Sequence, residues 1–111
     1  MTSARLPRPL LLTTIATLAT IVCFTPAFAK DVTVTITNFA FAPATVTIAA
    51  GDSVTFVNGD DTIHSVVADD GSFHSDGLDT NDKATFSFAK AGQIAYHCGL
   101  HPFMKGEIVV K

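Results

Sequence analysis

From residue 30 onward the chain alternates apolar and polar side chains with a period of two. Val32, Val34 and Ile36 interleave with Thr33, Thr35 and Thr37, the pattern of a strand with one buried face. Residues 38–43 interrupt it. Val46 and Ile48 resume the alternation, Ala50-Gly51-Asp52-Ser53 marks a turn, and residues 54–58 form a third strand before the turn Asn58-Gly59-Asp60-Asp61. Residues 64–68 are predicted as a short strand, and the polar run 69–83, with Gly71 and Gly77, as a crossover loop with little regular structure. Phe86 and Phe88 alternate with Thr85 and Ser87 in a strand over 84–89, Lys90-Ala91-Gly92 turns the chain, and strands over 93–98 and 106–111 close it. Seven short strands, turn signals about every 8–12 residues and one long connection predict an all-β Greek-key β-sandwich of antiparallel or mixed sheets. Val34, Ile36, Val46, Ile48, Val54, Phe56, Phe86, Phe88, Ile94, Tyr96, Ile108 and Val110 are its expected core.

The first 29 residues do not share this pattern. Arg5 and Arg8 form a basic start, residues 10–24 an apolar run, and Ala27-Phe28-Ala29 a small-x-small cleavage signal, which together predict a secretory leader over 1–29 and a mature domain over 30–111 in the periplasm. The apolar run is short for a membrane span of about 20 residues and is interrupted by Thr13, Thr14, Thr17 and Thr20. Val22 before Cys23 disfavours lipidation there. Loss of the leader leaves 82 residues carrying a single Cys, Cys98, a single Met, Met104, and a net charge of −5 with His neutral. So acidic a chain is a poor partner for nucleic acid or an anionic membrane surface. A domain this small often needs a staple, and no disulfide can form within it. A lone thiol in an exported protein points to burial, catalysis or ligation of a metal.

That thiol lies in Tyr96-His97-Cys98-Gly99-Leu100-His101-Pro102-Phe103-Met104, where thiolate, imidazole and thioether recur at every third position. Two His and one Cys in a plane with a weakly held Met is the donor set of a blue copper electron-transfer site. Cys98, His101 and Met104 supply three of the four donors. Tyr96 and Cys98 share a strand face, so His97 points the other way and is excluded as a partner of Cys98. The second imidazole is then His64 or His74. His64, beside a turn at the start of a strand, is held more rigidly than His74 in the crossover loop and is preferred. A zinc site built from His64, Cys98, His101 and a further His leaves Met104 without a role. A Cys-His nucleophile pair requires a cleft and an oriented base; strand parity turns His97 away from Cys98 and a domain this small leaves little room for a substrate pocket, so an enzyme is not expected.

The loop from Tyr96 through Met104 to Lys105-Gly106 resembles the copper-binding loop of the cupredoxins, and its two-residue gaps are similar to the short amicyanin type. Phe39-Ala40-Phe41-Ala42-Pro43 and Gly51-Asp52-Ser53-Val54-Thr55-Phe56-Val57-Asn58 resemble a second block of that family, and Asp70-Gly71-Ser72-Phe73 its crossover. His64 falls where the family places its first ligand. The resemblance implies one copper ion, cycling between Cu(I) and Cu(II), held by His64, Cys98, His101 and Met104 in a monomeric electron carrier. Redox proteins such as a cytochrome c or a periplasmic dehydrogenase are the expected partners. They are expected to dock transiently on an apolar patch of Leu100, Pro102 and Phe103 around His101, with Phe41 and Pro43 alongside. A copper carrier or buffer using the same ligands is the competing expectation. Ser65 stands where family members often have an Asn that ties the two ligand-bearing segments together, which leaves that tie open.

Overall fold

The computed structural model describes residues 28–111 together with 3–5, 7, 9, 16 and 17. The expected leader, Cys23 included, lies outside the described residues apart from those isolated positions and its last two residues.

Among the described residues, eight strands form two four-stranded sheets: β1 Asp31–Thr37, β2 Ala40–Ala42, β3 Thr45–Ile48, β4 Ser53–Asn58, β5 Val67–Ala68, β6 Lys83–Ser87, β7 Gly92–His97 and β8 Lys105–Val110. One sheet runs β2-β1-β4-β6 and the other β3-β8-β7-β5. Both are mixed, with β1 parallel to β4 and β3 parallel to β8. The alternation read from the sequence corresponds to the pleat: Val34, Ile36, Val54 and Phe56 face inward from the first sheet, and Val46, Ile48, Tyr96, Ile108 and Val110 from the second.

The additional strand is β2. Three residues are too few to show a period, and the stretch 38–43 reads only as an interruption. Asn38 and Phe39 turn the chain back with φ of 51° and 55°, a conformation that Asn tolerates and a bulky Phe adopts rarely. Both of their amides donate to the Asp60 carboxylate, at 2.7 and 3.0 Å, which holds the turn.

Two other expectations change. His64 is outside a regular strand: it forms an isolated bridge with Leu78, and β5 is confined to Val67–Ala68. The crossover is better anchored than its polarity suggests. Leu78 and His64 exchange amide bonds of 2.6 and 3.1 Å, Ser75 donates to Val66 at 2.7 Å, and Ala68 to Phe73 at 2.9 Å. Phe73 and Leu78 thereby enter the core from within the loop. Phe86 and Ile94, expected inside, are half-buried, because Phe86 sits on the edge strand β6 and Ile94 lines the open groove beside it.

Aromatic rings fill the centre. Tyr96 packs edge-on against Phe41 at 4.8 Å and Phe56 at 5.2 Å between centroids, the arrangement that ring quadrupoles favour. Its ring lies across Gly106, its cross-strand partner on β8. A methyl group at Gly106 would overlap the phenol. The Tyr96 hydroxyl is buried with no hydrogen-bond partner among the described residues.

Gly106→Ala is therefore expected to destabilise the domain by about 1–3 kcal/mol through overpacking, measurable by urea unfolding. Burial also pushes the Tyr96 phenol above its ordinary value of 10.0. The folded state then resists ionisation while the unfolded state does not, so this contribution is complete below pH 10 and declines as pH rises above it. Tyr96 is the only Tyr in the chain. Tyrosinate absorbance at pH 11 is expected to stay low while the fold persists and to rise only with unfolding.

Candidate metal centre

The site forms at the end of the sandwich where β4 and β7 finish and β8 begins. Asn58, the last residue of β4, is fully buried. Its amide donates to the carbonyls of Thr62 and Leu78 at 2.9 and 2.8 Å, and its side-chain oxygen accepts the Asp60 N–H at 2.9 Å. These bonds shape the turn that delivers His64. The ring of His64 is also fully buried, and its Nε2 lies 2.9 Å from Oδ2 of Asp60. An ionised carboxylate only accepts, so Nε2 carries the proton and Nδ1 keeps a free lone pair.

That lone pair faces Cys98. Nδ1 of His64 and Nδ1 of His101 each lie 3.7 Å from Cys98 Sγ, and the three ligand atoms all lie within 4.8 Å of one another. A separation of 3.7 Å is what two donors span when each sits about 2.0–2.3 Å from a shared ion. Cys98 is fully buried, and the Ser65 N–H points at its sulfur from 3.4 Å. Ser65 Oγ accepts the Gly99 N–H at 2.9 Å. A Cβ at Gly99 would stand 2.7 Å from that oxygen, so the close approach requires glycine. Ser65 thus ties the two ligand-bearing segments directly, which answers the question that its replacement of Asn raises.

The short loop closes on itself. Cys98 N–H donates to the Met104 carbonyl at 3.1 Å, and Met104 N–H to the His101 carbonyl at 2.9 Å. This brings the backbone of Met104 beside the other candidates, with its side chain buried. His97 lies apart from them, its Nδ1 2.6 Å from the exposed Asp69 carboxylate. His74 is exposed on the crossover opposite Val67.

Two contributors escape sequence reading. Asp60 sits in a motif that announces only a turn, although an acid four residues before a candidate ligand is a weak signal. Phe39 meets the rings of both His64 and His101 edge-on, with centroids 5.1 Å away in each case. It replaces Phe41 in the expected apolar patch: Phe41 points inward from β2 and is buried against Tyr96, whereas Phe39 is 42% exposed. Leu100, Pro102 and Phe103 are exposed around the half-buried His101.

Residues 10–110 match the family model described as Cupredoxin-like domain. The chain belongs to the cupredoxin-like family. An amicyanin of Paracoccus versutus is 35% identical over 88 residues, which is 75% of this chain and 67% of that protein. A chloroplastic plastocyanin of Tetradesmus obliquus is 37% identical over 84 residues, 64% of this chain and 58% of that protein. The chain therefore spans only part of the length of these relatives. Among solved structures, an oxidised amicyanin variant superposes with a TM-score of 0.69 at 26% identity, covering 72% of this chain and 81% of that one. A copper-containing nitrite reductase from Thermus scotoductus SA-01 gives 0.69 at 32% identity, over 73% of this cupredoxin but 22% of the reductase chain. The family cofactor is one copper ion, and the donor atoms of His64, Cys98 and His101 are positioned to ligate it.

Asp60 makes that positioning sensitive to one carboxylate. Its carboxyl is held below the ordinary 3.8, first by the Phe39 amide and then by His64 and Asn38, so its stabilisation is complete above that value and fades as pH falls below it. Asp60→Ala leaves two amides and the His64 ring without their acceptor. Copper affinity, measured by competition with a chelator, is expected to fall on the order of 10–100-fold.

Proposed function

We propose that this cupredoxin is a type 1 blue copper protein of the periplasm that carries single electrons between redox partners. One observation carries the reading: a buried thiol lies 3.7 Å from each of two imidazole nitrogens, one on its own loop and one brought from a segment 34 residues away. His64, Cys98 and His101 would hold copper, with Met104 as a weaker fourth donor, and the ion so held supplies one-electron exchange between Cu(I) and Cu(II).

The chain's own contribution is to keep those donors still. Asp60 orients His64, Ser65 binds both the sulfur and the following amide, and the 98–104 loop is closed by its own backbone bonds. A donor cage held this way needs little reorganisation between two charge states. Burial of His64 and Cys98 keeps water from the thiolate. His101 is the exception, half-buried among Phe39, Leu100, Pro102 and Phe103, and its ring edge is the proposed route for the electron. Exposed apolar residues on a net acidic domain suit brief docking of a basic cytochrome c or dehydrogenase over a small interface. Processing of the leader over 1–29 would deliver the 30–111 domain, a monomer, to that compartment. The reductase likeness covers too little of that enzyme for its activity to be carried over.

The competing role as a copper carrier is less well supported, because a closed cage in which His64, Cys98 and Met104 are buried disfavours ready release of metal. Copper(II) added to the exported protein is expected to give an intense blue absorption that Cys98→Ser abolishes. His101→Ala with copper retained is expected to slow electron exchange with cytochrome c at least tenfold. Colourless protein with readily exchanged Cu(I) would favour the carrier, and undiminished transfer in the His101 variant would remove the proposed route.

A further inference from the structure

The end of the sandwich away from the metal centre is organised by another acid, and this one is buried. Asp52 is 8% exposed. Its Oδ1 accepts the backbone N–H of Lys30 and its Oδ2 that of Ala49, each at 2.9 Å. Phe88 N–H donates to the Asp52 carbonyl at 3.0 Å, and Ser53 N–H to the Lys30 carbonyl at 2.9 Å. One residue thus gathers the start of β1, the β3–β4 turn and the segment after β6. The nitrogen it holds belongs to Lys30, the first residue after the expected leader. Lys30 and Ala29 are exposed, and Phe28 is 84% exposed, so the Ala29–Lys30 bond is open to a peptidase.

We propose that processing after Ala29 is built into the fold: the α-ammonium group created at Lys30 docks on the Asp52 carboxylate and locks β1 to the β3–β4 turn. The inference rests on the leader reading given above. Hydrolysis by a leader peptidase consumes one water. Its oxygen bonds to the Ala29 carbonyl carbon as the C–N bond breaks, and both of its protons end on the Lys30 nitrogen. At neutral pH the products are a carboxylate on Ala29 and an ammonium on Lys30, since an α-amino group ordinarily titrates at about 7.7–8.0. Before the cut Lys30 N offers Asp52 one neutral N–H. Afterwards it offers three donors and a positive charge at the same atom, and charge-assisted hydrogen bonds are roughly twice as strong as neutral ones. Register matters, because a cut one residue earlier places the charge about 3.3 Å further along the chain and leaves a neutral amide at Asp52.

The test begins with the full chain exported from a bacterium, whose intact mass gives its first residue. Its thermal midpoint is compared with that of a variant carrying one Ala inserted after Ala29, cut at the original site so that the product begins one residue before Lys30. The comparison is repeated in Asp52→Asn. A start at Lys30, a midpoint several degrees above that of the extended protein, and loss of the difference in Asp52→Asn are expected. A different first residue would refute the leader reading itself. Equal midpoints of the two starts, or a difference that survives in Asp52→Asn, would overturn the docking with the leader reading intact. Should Asp52→Asn not fold, synthetic 30–111 protein with an acetylated Lys30 α-nitrogen restores the single neutral N–H of the uncut chain, and an unchanged midpoint there would equally overturn the proposal.

Discussion

The metal centre depends on holding one sulfur atom between two segments that lie more than 30 residues apart in the chain. Ser65 does this with two bonds, an N–H aimed at Cys98 Sγ and an Oγ that accepts the Gly99 N–H. The first orients the thiol and the second fixes the backbone that follows it. The second requires glycine at position 99, because a Cβ there would crowd the same hydroxyl. The sandwich exists, from the site's point of view, to make this pair of contacts possible. The end of β4 with its turn, and the end of β7, are brought to one edge, and the core aromatic stack below holds them apart by a fixed thickness.

The same edge shows how local strain and polarity are balanced. Phe39 adopts a left-handed conformation that its side chain disfavours, and the turn persists because Asp60 accepts both amides that it presents. The carboxylate that stabilises this turn also binds Nε2 of His64. One acid therefore sets the position of an aromatic ring, the protonated nitrogen of a ligand and, through that nitrogen, the direction of the ligand's lone pair. Asn58 performs the parallel task for the turn itself, satisfying its own buried amide on Thr62 and Leu78.

What was legible in the sequence follows from what is periodic or unique. Val32 to Thr37, Val54 to Asn58 and the C-terminal strands announce themselves because a period of two persists for long enough to be counted. Cys98, His101 and Met104 stand out because they share one short loop and two of them are the only residues of their type after residue 29. Features without a period were missed. The strand Ala40–Ala42 is three residues long; Phe73 and Leu78 are core residues inside a polar loop; Phe41, expected beside the patch, is buried in the core, and Phe39 stands at the patch instead. Asp60 and Ser65 act through single hydrogen bonds to partners 4 to 34 residues away, and composition carries no trace of such geometry. The strand-parity argument for His97 depended only on the pleat, and the structure places that ring on the solvent side with Asp69.

The two imidazoles of the site are chemically unequal, and this asymmetry bears on direction. His64 is buried and bonded through its second nitrogen to a carboxylate, which strengthens it as a donor and removes it from contact with any partner. His101 is half-buried, and its exposed surroundings are Phe39, Leu100, Pro102 and Phe103. On the proposed function, charge brought to the site would leave toward a docked protein through His101, the ring that reaches the surface. An apolar surround lets that contact form with little desolvation of polar groups, so it can also dissolve quickly. On the same proposal, the acidic residues elsewhere would act over longer range and favour a basic partner. Rigidity on the His64 side and openness on the His101 side are thus two halves of one arrangement, a fixed cage with a single exit.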